Sequence, residues 1–172
     1  MSSTFRQAVL FRNSKVVGLA ASIALGAYAG PAIARAASRS AVPFDRLLGQ
    51  PMAVTLDLPN GESRYFHGIA NRVAQGVSDG IFTTYQAEVV PWLWFLSLSR
   101  ECRVYQHLNV LEIAEQVFKG MGYTDFRIAC TRSYPARDFC VQYRETHLNF
   151  VSRLLEEEGI FYFFEHSEAK HV

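Results

Sequence analysis

Val141-Gln142-Tyr143-Arg144-Glu145-Thr146, and shortly after it Asn149-Phe150-Val151-Ser152-Arg153-Leu154-Leu155-Glu156-Glu157-Glu158-Gly159-Ile160-Phe161-Tyr162-Phe163-Phe164, read as a short strand, an amphipathic helix and an aromatic strand in that order. Thr146 is the expected N-cap, because its hydroxyl can accept from an orphan amide of the first turn. Gly159 is the expected stop. Phe150, Val151, Leu154 and Leu155 recur at spacings of three and four and gather on one face, while Arg153 and the three glutamates point to water. Three consecutive carboxylates fan out around a helix axis. They cannot converge on one substrate as a paired acid and base must, so Glu156 to Glu158 read as a solvated face.

The same rules extend outward. Leu108 to Gly122 has helical spacing through Val110, Ile113, Ala114, Val117 and Phe118, with Asn109 as cap and Gly120 to Gly122 at its end. Pro51 to Leu58 and Ser63 to Val73 read as two strands of a hairpin, joined by Pro59-Asn60-Gly61-Glu62, where a glycine can supply positive φ. Gly76 to Gly80 reads as a loop and Phe82 to Val90 as a third strand. The tract Val89-Val90-Pro91-Trp92-Leu93-Trp94-Phe95-Leu96-Ser97-Leu98 is too short for a membrane helix, which needs about 20 apolar residues. It is expected to be a bulged or edge strand packed in a core.

The segment from Val141 to Phe164 resembles the N-terminal region of the VgrG family, the tip proteins of bacterial type VI secretion. Leu47-Leu48-Gly49-Gln50-Pro51, Arg64-Tyr65-Phe66-His67-Gly68-Ile69, Tyr85-Gln86-Ala87-Glu88-Val89-Val90-Pro91-Trp92-Leu93-Trp94 and Ile113 to Phe126 are similar to successive landmarks of that family, in order. The resemblance runs from Phe44 to Val172. It implies an α+β, mainly β fold: a phage-tail-hub-like β-barrel with two covering helices. It also implies a structural, non-enzymatic role in the spike: a homotrimer at the tip of the secretion tube, with the tube protein and effector cargo as partners. A phage contractile-tail hub shares the fold and is the first alternative. A membrane-anchored or exported binding protein derived from a hub is the second.

Residues 1–43 differ in kind. The chain has 172 residues and a formal charge of +1, yet Arg6, Arg12, Lys15, Arg35 and Arg39 stand before Phe44 with no acid, leaving 12 basic against 16 acidic residues beyond it, a net of −4. Between Lys15 and Arg35, residues 16–34 are uncharged and rich in Ala, Gly, Val, Leu and Ile, about the length of a membrane helix, though Gly18, Gly26, Gly30 and Pro31 weaken it. An N-terminal apolar helix with possible membrane contact is therefore one expectation. Ala34-Arg35-Ala36 also imitates a cleavage site after a secretory signal, and an unrelated leader joined to a hub is a third reading. The chain is thus divided into a leader, 1–43, and a partial hub domain, 44–172. The family's opening strand is not recognisable before Leu47, so the first strand of the barrel is expected to be missing. A free sheet edge and a tendency to aggregate would follow.

Other chemistry is sparse. Cys102, Cys130 and Cys140 form no CxxC pair and read as ordinary buried thiols, with a Cys130–Cys140 bridge conceivable in an oxidising compartment. His67, His107, His147, His166 and His171 are scattered and read as surface residues; His166 and His171 would need a further partner to hold a metal. There is no Gly-x-Ser-x-Gly elbow and no phosphate-binding glycine loop. No catalytic, cofactor or metal residues are assigned, no cofactor is expected, and the acidic body argues against nucleic acid.

Overall fold

The computed structural model describes residues 9–11, 20–25, 32–38, 43–58, 60–81 and 83–172. Among the described residues the fold is mainly β with two α-helices, and the chain divides into two compact units, Met1–Pro91 with Phe164–His171, and Trp92–Phe163 with Val172.

The described residues of the first unit include six antiparallel strands: β1 (Val9–Phe11), β2 (Ala20–Leu25), β3 (Ala32–Ser38), β4 (Pro51–Asp57), β5 (Ser63–Ser78) and β6 (Thr83–Val90). Neighbours in space run β1-β2-β3-β6-β5-β4, and β1 pairs with β4, so the circuit of pairings closes. The β4–β5 hairpin is the expected one. Gly61 sits at φ +84° in its turn, the Leu58 amide donates to the Glu62 carbonyl, and Val54 opposes Phe66 across the ladder. β5 runs further than expected, through Gly76 to Ser78, because β6 stays paired with it past two irregularities, between Ala70 and Arg72 and between Gln75 and Ser78. Met52, Ala70, Ala87 and Val89 form a buried cluster here, with Val73 packed against it.

Two expectations for the leader are corrected. Where the apolar tract 16–34 is described it is strand, not helix: β2 lies within it and β3 begins in it, while 16–19 and 26–31 lie outside the described residues. The edges expected to be free are also occupied, since β1 pairs with β4 through Val9–Leu56 and β3 pairs with β6 from Ala32–Val89 to Ser38–Thr83. The physical reason is that backbone ladders with partners far along the chain outweigh the weak helix preference of a tract broken by glycines and Pro31.

The second unit contains a short 3-10 helix (Trp92–Ser97), β7 (Arg100–Tyr105), α1 (Val110–Gly120), β8 (Cys140–Thr146) and α2 (His147–Glu157). The Trp92 tract is buried as expected, at Trp92, Leu93 and Leu96, but its form is a correction. Pro91 ends β6 and the chain then coils tightly, which lets the Trp92 ring stack on Tyr123 and meet Phe118 edge-on, with its indole N–H donating to the Asp125 carbonyl. α1 begins with a capping box: the Asn109 side chain accepts from the Leu111 and Glu112 amides, and Glu112 accepts from the Asn109 amide. It ends where Gly122 adopts φ +84° and the Tyr123 amide returns to the Phe118 carbonyl. α2 is capped by Thr146, which accepts from the Asn149 amide, and Gly159 at φ +67° follows its end. Phe150, Val151, Leu154 and Leu155 are all buried, as the spacing requires, and α2 packs on α1, β8 and the 3-10 helix. The expected aromatic strand does not form: Phe161, Tyr162 and Phe163 belong to no ladder.

Candidate interaction surfaces

In the second unit β7 and β8 form an antiparallel ribbon in which Val104 faces Val141 and Tyr105 faces Cys140. Side chains alternate across a strand, so the two pairs lie on opposite faces. Tyr105, Cys140 and Gln142 are buried, with the Tyr105 ring stacked on Phe150 of α2. Burial raises the Tyr105 phenol above its ordinary pKa, opposed by Arg103. The other face is open. Val104, Val141 and Tyr143 are exposed, with Phe139 just before β8 in the same alternation. A slip in register between Glu101 and Arg103 accompanies Arg144 at φ +50°, whose amide donates to the Cys102 sulfur.

The buried end of this ribbon is polar, and Gln142 is bonded there through its amide nitrogen while its Oε1 has no hydrogen-bond partner. Gln142 Nε2 donates to the Glu145 carbonyl at 3.0 Å and lies 3.2 Å from His147 Nδ1. That assigns His147 the tautomer with hydrogen on Nε2, which points toward the Glu101 carboxylate at 3.9 Å. Beside it, Arg153 bonds Glu145 and Glu157, while Arg137 bonds Glu157 and Glu158. Two of the three glutamates that suggest acid chemistry in the sequence, Glu157 and Glu158, are therefore held by guanidiniums. The pair of bonds from Arg137 and Arg153 holds the Glu157 carboxyl below the usual carboxylate range, Arg137 first. A second exposed aromatic surface is Phe161-Tyr162-Phe163, in which Phe161 is 80% exposed and the Phe161 and Phe163 rings stack 6.3 Å apart.

In the first unit the structure brings together histidines that the sequence leaves apart. His67 of β5 and His171 meet at 2.9 Å between their Nδ1 atoms, and His166 Nδ1 lies 3.0 Å from the His67 carbonyl oxygen. The surface reading fails for His147 and His171, which are 3% and 4% exposed. Desolvation by burial lowers the His166 pKa, offset by its bond to the His67 backbone. No group of three or more His, Cys, Asp or Glu among the described residues could hold a metal ion. The cysteines are all free, and only Cys140 is buried; Cys102 and Cys130 are exposed, against the expectation for them. No described helix is long and apolar enough to cross a membrane.

The profile of the phage tail baseplate hub (GPD) family matches residues 31–172. The chain belongs to that family. The match takes in β3, upstream of the Phe44 boundary that the sequence resemblance suggests. The hub chain is similar to two type VI secretion system spike proteins of Pseudomonas aeruginosa. VgrG1c is 49% identical over 135 residues, covering 78% of this chain and 19% of the relative. VgrG1a is 47% identical over 131 residues, covering 76% and 20%. The chain thus spans about a fifth of the length of these curated relatives. Among solved structures it is similar to an E. coli protein described as a component of the type VI secretion system with structural similarity to the T4 bacteriophage tail proteins gp27 and gp5. That likeness has a TM-score of 0.72 at 22% identity, over 92% of this chain and 45% of the other, and is one of fold.

Proposed function

We propose that this chain is the hub portion of a type VI secretion spike, a structural and non-enzymatic module whose work is self-association. The observation that carries the reading is the similarity to two spike proteins at 47–49% identity across three quarters of the chain. In this reading the closed strand circuit of the first unit is a barrel of the hub. The ribbon face of Val104, Phe139, Val141 and Tyr143 is its assembly surface, since exposed apolar patches of this kind mark interaction sites. A homotrimer at the tip of a secretion tube, carrying cargo, is the assembly so formed. A phage-tail hub role is supported by the family description but by no residue that separates the two.

Sedimentation velocity over a wide concentration range tests the reading. A trimer is expected, and Val141→Glu should shift it toward monomer without changing the far-UV circular dichroism. A chain that stays monomeric at every concentration, or a trimer indifferent to substitutions on the ribbon face, would overturn it.

A further inference from the structure

We propose that the open edge of β5 beside Arg64 is a docking cleft for an extended polypeptide segment that carries a carboxylate, joined to Tyr65 by backbone hydrogen bonds and to Arg64 by charge. The cleft has a volume of about 640 Å³, and Glu62, Arg64, Tyr65, Phe66, Phe164 and His166 are among the residues that line it. It belongs to the first unit alone and needs no assembly of the chain. β5 is paired with β4 on one side, from Asp57–Ser63 to Pro51–Ile69, but β6 meets its other side only from Ile69 onward. Ser63 to Gly68 therefore run past the end of β6.

Two bonds fix the direction of the backbone groups along this stretch. The Ala70 amide donates to the Gln50 carbonyl, on the β4 side, whereas the His67 amide donates to His166 Nδ1, on the side away from β4. Backbone groups of a strand reverse direction with each residue, so Tyr65, two residues before His67, also presents its N–H and C=O away from β4. His166 occupies the position beside His67. Tyr65 has no hydrogen bond outside the β4–β5 ladder among the described residues. An added strand engages an open pair of this kind, one of its residues exchanging both bonds with Tyr65.

Charge decides the class of occupant. Arg64 is exposed, its guanidinium lies 5.1 Å over the Phe66 ring, and it makes no ion pair among the described residues. Its partner across the ladder is Leu56, which brings no countercharge. Burial first, and also the Arg64 charge, lower the pKa of His166, so the field of the guanidinium reaches that ring. A guanidinium resting on an aromatic face keeps its donor edge free for a carboxylate. Glu62 lies on the same face of the strand, two residues away, with its carboxylate held by the Asn60 amide nitrogen at 2.8 Å. The complement to Phe66, Arg64 and Glu62 is therefore an apolar, an acidic and a basic side chain at alternate positions of the incoming strand.

Amide NMR of the isotope-labelled 172-residue chain, titrated with the peptide acetyl-Thr-Val-Thr-Asp-Thr-Lys-Thr-amide, tests the cleft. Antiparallel to β5, this peptide sets its valine, aspartate and lysine opposite Phe66, Arg64 and Glu62, and a threonine opposite Tyr65. Saturable shifts are expected at Tyr65 and its neighbours in β5. Arg64→Glu should weaken binding at least about fivefold, a peptide with lysine in place of aspartate should recover it on that variant, and Arg72→Gln should leave it unchanged. Methylating the amide nitrogen of the threonine between valine and aspartate removes a bond to Tyr65 and should abolish binding, a readout that needs no variant of the protein. Absence of saturable binding, indifference to Arg64→Glu, or survival of the methylation would each overturn the proposal. So would a Tyr65 shift that follows protein concentration without peptide, which would give the edge to a second copy of the chain.

Discussion

The rings of Tyr105 and Phe150 lie 5.4 Å apart and 19° from parallel, joining the buried face of the β7–β8 ribbon to the apolar stripe of α2. Phe150 is fully buried. Phe150→Ala removes the ring and leaves a cavity, so a loss of about 3–5 kcal/mol is expected in urea unfolding, with Phe150→Leu costing clearly less. A loss below about 1 kcal/mol would mean that the site collapses around the smaller side chain.

Gly68 answers to a different constraint. A Cβ built there would stand 2.6 Å from Val89 Cγ1 and 2.7 Å from the Val90 carbonyl oxygen, and the second of these is backbone. Gly68→Ala should therefore destabilise by about 1–3 kcal/mol through forced separation of β5 and β6. Gly120, in α1 with nothing within 4 Å of such an atom, supplies the control: Gly120→Ala should gain up to about 1 kcal/mol. Thermal melts of both variants beside the parent chain check the contrast.

Glu157 gives a pH dependence. Its folded pKa is depressed, first by Arg137, so its contribution is present above the ordinary carboxylate value of 4.5 and is lost as pH falls through the lowered folded value. The carboxylate side chain is 43% exposed, so the effect is at most about 1 kcal/mol. Urea midpoints at pH 7 and pH 3 should differ less for Arg137→Ala than for the parent, and an equal difference in both would exclude the Arg137 contact as the cause.

Val104 and Val141 oppose each other on the open face of the ribbon, at 58% and 47% exposure. Because neither is buried within the chain, Val141→Glu should change its unfolding free energy by no more than about 0.5 kcal/mol. A large fall in the melting temperature of dilute, monomeric protein would contradict this and would assign Val141 to the fold rather than to assembly.

The elements that were legible in the sequence are those whose signals are local. Asn109 with Glu112, and Thr146 with Asn149, cap helices whose apolar residues recur at helical spacing, and the positions of α1 and α2 follow within a residue or two. The 3-10 helix at Trp92 was not legible, because a run of aromatic residues after a proline suits a buried strand and a buried turn alike. Nor was the histidine cluster: His67 lies 104 residues before His171, and no local pattern joins them.

The sequence by itself determined the family, the two capped helices and the Asn60-Gly61 hairpin, because capping, periodicity and turn chemistry act over a few residues. Tertiary structure alone decided that the apolar N-terminal tract contributes strands, that Glu157 and Glu158 are bound to Arg137, and that His67 meets His171. Each of these depends on a partner distant in the chain, and ladder hydrogen bonds, ion pairs and imidazole contacts have no energy until the fold has brought the partners together.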